Sequence, residues 1–493
     1  MFLAGTAAIS LTTSVSAEVP RNELRTLLEF PPATLNPRLT SDATGQRLNM
    51  LLFRALTRVD ANLAVQPDLA ESWTTSTDKK QWFFKLGEKA LDHAHQPIQA
   101  EDLKACLEEY LNQKPVSPLK TSFPNFVRAE VKSKNVLQII LSAPDPFLVR
   151  NLSVLRFFRV QGESRPCKNP DSKQILIGSG DYRLVPWTLN PERILRLEAL
   201  DPKKADLVFE IIKDETSRLL KLLKGDVDFL QNSFSPTKTA WIMKNHSDRF
   251  NLIERAGVNV SYLAFNLDDP ILSVLKVRQA IVYAIDREII IRSLMKDFGS
   301  LAGSFLSPAI PGAIQAQFKF DPKKAEALLD EAGFLKNKKG VRFKLKYKTT
   351  PSKDGFEAAQ VFQSMLKNVG IELDLEMVDP AVFFASIRKG HFQLYSSRWV
   401  GISDPSILIR TLQSTQPDNR VHYKNPAVDQ ALKDLKPDHL AFIQNQMAKD
   451  LPYFPLWFWS NSLIMRKDLK GLDNTDLSLS GSFTPWSSLE KVR

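Results

Sequence analysis

The sequence predicts an α/β protein with partly parallel sheets, divided into two or three domains. Three observations lead there. Segments alternating with period two are interleaved with segments of period 3.6 along the whole chain, which favours strands joined by helices. At 493 residues the chain has material for more than one large core. Its 43% hydrophobic and 25% charged residues are those of a soluble globular protein. The 30 prolines favour loops over long helices.

In chain order, residues 24–30 read as a strand stopped by Pro31-Pro32, and Leu35-Asn36-Pro37 as a turn. Residues 49–55 read as helix, 63–73 as a loop and short helix, and 81–86 as an alternating strand. Ala100-Glu101-Asp102 opens a helix that runs to Tyr110. Residues 136–141 alternate again and end at Pro144-Asp145-Pro146. After the turn at Gly178-Ser179-Gly180 come strands at 182–185, 194–198 and 207–212. A helix at 216–223 stops at Gly225, and a strand follows at 227–230. Asp321 caps a clean helix, with Pro322 in its first turn, Ala325, Leu328 and Leu329 on one face, and Gly333 at its stop. A strand at 341–348, a helix at 355–369 closed by Gly370, and a strand at 371–377 follow. Asp201-Pro-Lys-Lys-Ala205 recurs at Asp321 to Ala325, but the flanks differ and no internal repeat is assigned.

Two stretches carry more. In residues 261–290, apolar 262–265 suits a buried strand and Asp268-Asp269-Pro270 ends it. Ser273 is expected to cap a helix whose apolar face is Val277, Ile281, Ala284 and Ile285. Asp286 is expected to cap the next helix, with Glu288 in its first turn. Residues 390–410 read as a strand at 392–395 and a loop holding Trp399 and Asp404-Pro405. An aromatic there is a ligand wall or a residue packed between lobes.

The sequence holds no Walker-type loop, G-x-S-x-G elbow or H-E-x-x-H pair, so nothing in it supports an enzyme. His93 and His95 alternate beside Asp92 with no further ligand following, and read as two exposed loop histidines rather than a metal site. The net charge of +11 comes from Lys and Arg scattered among acids, a solvated basic surface with no nucleic-acid motif. Cys106 and Cys167 either pair in an oxidising compartment or stay reduced. Residues 2–11 are small and apolar, and Val15-Ser16-Ala17 fits a signal cleavage site, although no basic residue precedes them. No cysteine sits at that site to carry a lipid, and no other stretch reaches the roughly 18 apolar residues of a membrane span.

In their order, several segments resemble the family 5 extracellular solute-binding proteins, the oligopeptide-, dipeptide- and nickel-binding proteins of bacterial ABC importers. Thr34-Leu-Asn-Pro37, Pro67 to Trp73, Ala100-Glu-Asp102 and Gly178 to Arg183 come first. Leu223 to Asp228, Leu263-Ala-Phe-Asn266, Val277-Arg-Gln-Ala280 and Ala284 to Glu288 follow. Asp321 to Gly333, Val369-Gly-Ile371, and Trp399 with Asp404-Pro405 complete the series. The resemblance implies a two-lobed periplasmic binding protein fold (type II, large cluster C form) with an extra N-terminal subdomain in lobe I. It implies a signal peptide at 1–17 and lobe I at 18–257, with the subdomain at about 36–175. Lobe II would span 258–463, and 464–493 would return to lobe I. Such a protein is a periplasmic monomer without cofactor, metal or nucleic acid. It closes on a small solute, here a short peptide, and delivers it to an ABC permease in the inner membrane. A metal-chelate of the nickel type, another non-peptide ligand, and a peptidase-like enzyme are the alternatives.

The departures from the family concern the ligand. Many of its peptide binders carry an Asp three residues after the loop Trp, and here Ile402 stands there. Asp404, five residues after Trp399, is the nearby carboxylate, a spacing that resembles the nickel-binding branch. Arg156-Phe-Phe-Arg159 also resembles that branch's arginine-bearing segment, but Gln416 and Pro417 stand where its histidine falls. The candidate ligand-binding residues are therefore Trp399, Asp404 and the cations Arg156, Arg159, Arg398 and Arg410, since guanidinium groups take carboxylates bidentately. Phe30, at the end of the first strand, joins them because family members touch the ligand there.

Overall fold

The computed structural model describes residues 22–40, 42–170, 174–185 and 194–491, and the signal-like segment at 1–17 lies outside them. Glu23–Leu28 pairs in parallel with Asp206–Ile211, and the sheet continues antiparallel through Ile194–Ala199 to Tyr182–Leu184. Beside it stands an antiparallel four-stranded sheet of Ala70–Thr75, Gln81–Leu86, Val136–Leu141 and Phe126–Ser133. Residues 63–73 therefore hold strands, Val65–Pro67 and the start of Ala70–Thr75, and not the expected short helix. Trp73 packs on Phe84 of the partner strand, a cross-strand contact that outweighs local helix propensity. The helix Ala100–Leu111 lies over this sheet, and a disulfide joins its Cys106 to Cys167, whose Cα atoms are 5.0 Å apart. That settles the pairing the sequence left open.

The largest sheet has seven strands and is built on two long ones, Phe250–Phe265 and Tyr453–Arg466. They run antiparallel to each other, with Phe229–Gln231 outside the second and Leu394–Trp399 outside the first. Phe343–Thr349 and Ile371–Met377 extend the sheet in parallel beyond Leu394–Trp399. Each long strand contributes to three cores. Ile253, Leu463 and Met465 belong to a core shared with the N-terminal sheets. Val258, Tyr262 and Phe458 belong to a second core on one face of the large sheet, and Leu263, Phe265 and Trp457 to a third on its other face. The register slips between Ala256 and Asn259, where the strands leave one core for the next. A Cβ on Gly257 would stand 2.4 Å from the Trp459 carbonyl oxygen, so only glycine fits this slip.

Helix caps follow the sequence closely. Asp286 Oδ1 accepts from the Ile289 N–H at 3.0 Å and Asp321 Oδ1 from the Lys324 N–H at 2.9 Å. Ser273 is the exception. Its hydroxyl donates back to the Pro270 carbonyl, and the helix Leu275–Ala284 starts one residue later, at the N-cap Val274, without a side-chain cap. The C-terminal segment is pinned to the first lobe by Trp486, which stacks on Phe483 at 3.9 Å and donates to Gln231 Oε1 at 2.7 Å. Full burial of such a ring contributes on the order of 3 kcal/mol.

Candidate functional site

In open α/β sheets ligands sit outside the carboxyl ends of parallel strands. The parallel strands of the large sheet end at Thr349, Met377 and Trp399, and those of the first sheet at Leu28 and Ile211. Phe30 stands just past the latter, half exposed, with the Lys213 ammonium 5.9 Å from its ring. The loop after Trp399 faces the first lobe, because the carboxylate of Asp404 acts on Asp145 and Arg150 there. Burial, and secondarily Asp404, push the Asp145 carboxyl above the ordinary range.

Trp399 ends a strand instead of sitting in a loop, since pairing with Val260 to Phe265 carries the strand through it. Neighbouring strand residues face opposite ways, so Arg398 and Trp399 project from opposite faces of the sheet. Trp399 stacks on Tyr262 at 5.8 Å, and Arg410 and Arg420 lie 5.6 and 5.2 Å from its ring. Both arginines pair with Asp418, at 2.7 and 2.9 Å. Burial raises the Asp418 carboxyl, but the two guanidinium groups outweigh it and hold the group below its usual range. Tyr395 and Tyr453 back Tyr262, and burial drives both hydroxyls well above their ordinary value. Trp399 is therefore one layer of a stiff aromatic wall.

On the other face, the Arg398 guanidinium lies 3.8 Å over the Trp459 ring, whose Nε1 donates to Ser261 Oγ at 2.8 Å. Arg398 is open to solvent yet densely surrounded by protein, as a residue lining a cleft is. That surrounding lowers its pKa to about 10, against the pull of Asp354, and it stays charged at neutral pH. The loop beyond is fixed by the Gly401 N–H on Asn259 Oδ1 at 2.8 Å, and Asp404 Oδ1 accepts from the Ser406 N–H at 2.8 Å.

Of the other predicted cations, two are committed to the first lobe and one stays beside Trp399. Arg159 lies in the first lobe, 2.8 Å from the fully buried Asp92 and 3.1 Å from Asp102, and its charge is spent there. Arg156 is buried in the same lobe and donates to the Phe53 carbonyl at 3.3 Å. Arg410 pairs with Asp418 but shares that one carboxylate with Arg420, so one positive charge remains beside Trp399. His93 is half buried rather than exposed, with its Nε2 3.0 Å from the Gly180 carbonyl, and burial lowers its pKa. A small apolar cavity beside the disulfide, lined by Leu103, Cys106, Tyr110 and Phe157 among others, holds none of these groups. Among the described residues, no group of three His, Cys, Asp or Glu side chains is placed to hold a metal, and no helix is long and apolar enough to cross a membrane.

Sequence reasoning missed three residues here. Asp145 was read only as a strand stop, and Arg150 carried no signal. Arg47, on the helix Ala43–Leu52, lies 5.6 Å over the Phe483 ring with no hydrogen bond or ion pair among the described residues. No local pattern distinguishes it from a surface arginine.

Comparison with known proteins agrees with this architecture. A sequence model of bacterial extracellular solute-binding proteins, family 5 Middle, matches residues 64–420. The dipeptide-binding protein of Escherichia coli (strain K12) is 25% identical over 448 residues, covering 84% of this chain and 82% of its own. The nickel-binding periplasmic protein of the same organism is 25% identical over 427 residues, covering 81% and 79%. Among solved structures, the ABC transporter substrate binding protein CtaP of Listeria monocytogenes superimposes with a TM-score of 0.83 at 22% identity, covering 96% of this chain and 100% of that one.

Proposed function

The chain belongs to the family 5 bacterial extracellular solute-binding proteins, and from that premise we propose that it is the substrate-binding component of an ABC importer. It captures a short peptide between two closing lobes and hands it to a membrane permease. The observation that carries the reading is the polarity of the facing lobes. Asp404 and Asp145 face each other from opposite lobes with Arg150 as the cation beside them, while Arg398 lies over Trp459 with no ion pair among the described residues, Asp354 acting on it only from farther off. A free-ended peptide offers an ammonium and a carboxylate to such a cleft. Ligand contacts made to both lobes at once favour the closed form.

The lobes run 18–257 and 258–463, with 464–493 returning to the first and an extra subdomain at about 36–175, as the assignment of Ile253, Leu463 and Met465 to the first core supports. The protein is exported to the periplasm as a monomer, and the Cys106–Cys167 disulfide suits that oxidising compartment. It binds and does not turn over its ligand. The second reading, a nickel-type chelate, draws on the nickel-binding relative and the Trp399 to Asp404 spacing. Against it, Gln416 stands where that branch has histidine, and its side chain donates to Gln413 at 3.1 Å.

The test is retention. The purified protein is mixed with a tryptic peptide pool or with nickel and histidine, passed through a sizing column, and the bound fraction identified by mass spectrometry. Short peptides should be retained, and small-angle scattering should show a smaller radius on binding. Retention of nickel and histidine alone would replace the peptide by the chelate, and an unchanged radius at saturation would remove the jaw.

A further inference from the structure

Most buried guanidinium groups here have a stated counterpart. Arg54 pairs with Asp68, Arg159 with Asp92 and Asp102, and Arg420 with Asp418. Arg278 and Arg287 donate instead to backbone carbonyls. Arg47 and Arg398 have neither: each lies over an aromatic ring, and the described residues give neither an ion pair nor a hydrogen bond. Both are crowded by protein, and Asp354 acts on Arg398 without forming an ion pair, so each charge is poorly compensated and costly to keep there.

They come from opposite lobes and approach the same strand. Arg398 covers Trp459, and Asn461 lies two residues on, hence on the same face and about 7 Å away. A Cβ at Gly481 would stand 3.1 Å from Asn461 Oδ1 and 3.1 Å from Arg47 Nη2, so Arg47 reaches this face one pleat beyond Trp459. Gly481 has a φ of +73° and no side chain, which keeps that approach open. The face between them is polar, with Ser261 and Asn259 on it, and Arg255, the cross-strand partner of Asn461, adds a third guanidinium held only by backbone carbonyls and Asn62.

We propose that Arg47 and Arg398, one from each lobe, form an anion subsite at the hinge that takes a carboxylate of the ligand. The carboxylate supplies the close ion pair that both groups lack and so ties closure to an anionic ligand. This rests on the peptide reading for the source of the carboxylate, a peptide C-terminus. A carboxylate of a metal chelate has the same chemistry.

The experiment compares three probes by equilibrium dialysis: a pool of free-acid di- to tetrapeptides, the same pool amidated at its C-termini, and the nickel–histidine complex. Wild-type protein should prefer the acid pool over the amide pool at least tenfold. Arg47→Met and Arg398→Met should each lose that preference with a melting temperature at or above wild type, because each removes a poorly compensated charge, and Arg47→Lys and Arg398→Lys should recover part of the preference, since charge persists without the fork. Equal binding of acid and amide pools would overturn the subsite and leave the peptide reading standing. Binding of the chelate alone, weakened in both Met variants, would keep the subsite and sink the peptide reading. Met variants that keep the acid preference, or a wild type that binds none of the three, would overturn the subsite.

Discussion

Removing the Cys106–Cys167 bridge tests the first lobe most directly. The two residues are 61 apart in sequence, and both are buried in the core that joins the N-terminal sheets to the C-terminal segment. Opening a loop of that length returns conformational entropy to the unfolded chain worth about 4 kcal/mol. With a urea slope of about 2 kcal/mol per M, the midpoint should fall by about 2 M. Two perturbations separate the parts of this loss. Reduction during unfolding, followed by refolding in reductant, opens the link but keeps both sulfurs. The double substitution Cys106→Ala/Cys167→Ala also strips packing from the wall of the apolar cavity that Cys106 lines, for about 1 kcal/mol more. The assay is urea unfolding followed by far-UV circular dichroism, with thiol titration of the unfolded, unreduced protein. The reasoning fails if that titration finds two free thiols, or if oxidised and reduced proteins unfold at the same urea concentration. Peptide retention should survive in the reduced protein, because the bridge lies away from the facing edges of the lobes.

Arg159→Met should cost roughly 2–3 kcal/mol, because it leaves the fully buried Asp92 carboxylate without its cation, and should leave peptide retention unchanged. Normal stability with lost retention would return Arg159 to the ligand site. Asp145 titrates in the opposite sense to a paired carboxylate. Its folded pKa lies above its unfolded one, so its contribution is most favourable below the unfolded value and is lost as pH rises through the window up to the folded value. Asp145→Asn keeps an oxygen for the Phe147 N–H and should raise the melting temperature at pH 7 while flattening its fall between acid and neutral pH. A uniform loss of stability at every pH would show that the carboxylate, and not its charge, holds this corner.

The elements legible in the sequence are those whose causes are local. Asp321 with Pro322, and Asp286, announce helices because a cap and a fixed φ act within four residues. The two long strands were half hidden. Only 262–265 of Phe250–Phe265 reads as a strand, as a short apolar run, since the first half faces a different core and the slip at Gly257 breaks the period between them. Ser273 shows competition at the same scale. Its hydroxyl donates back to the Pro270 carbonyl, three residues earlier, in place of accepting from the helix that follows, a choice no preference table ranks. Ala70–Thr75 was missed because its support comes from across the sheet, in Phe84, and not from its own sequence.

Arginines show why the site was harder to read than the fold. The sequence names the residue type but not its counter-charge. Arg410 meets Asp418 eight residues on, a distance a sequence can suggest, whereas Arg159 meets Asp102 and Asp92 from 57 and 67 residues away. Their chemistry is the same as that of Arg398, and only the fold's distribution of acids decides which guanidinium remains for a ligand. The net charge of +11 is equally silent, because it counts groups already spent. The uncompensated remainder is what selects. Around the crossing strands no described acid forms an ion pair with Arg47 or Arg398, and across the cleft Asp404 and Asp145 set two carboxylates against the one cation of Arg150. A neutral solute leaves both ends of that cleft unsatisfied. A peptide with two free ends neutralises each with the opposite charge, so blocking either terminus should weaken it, and blocking both should weaken it most.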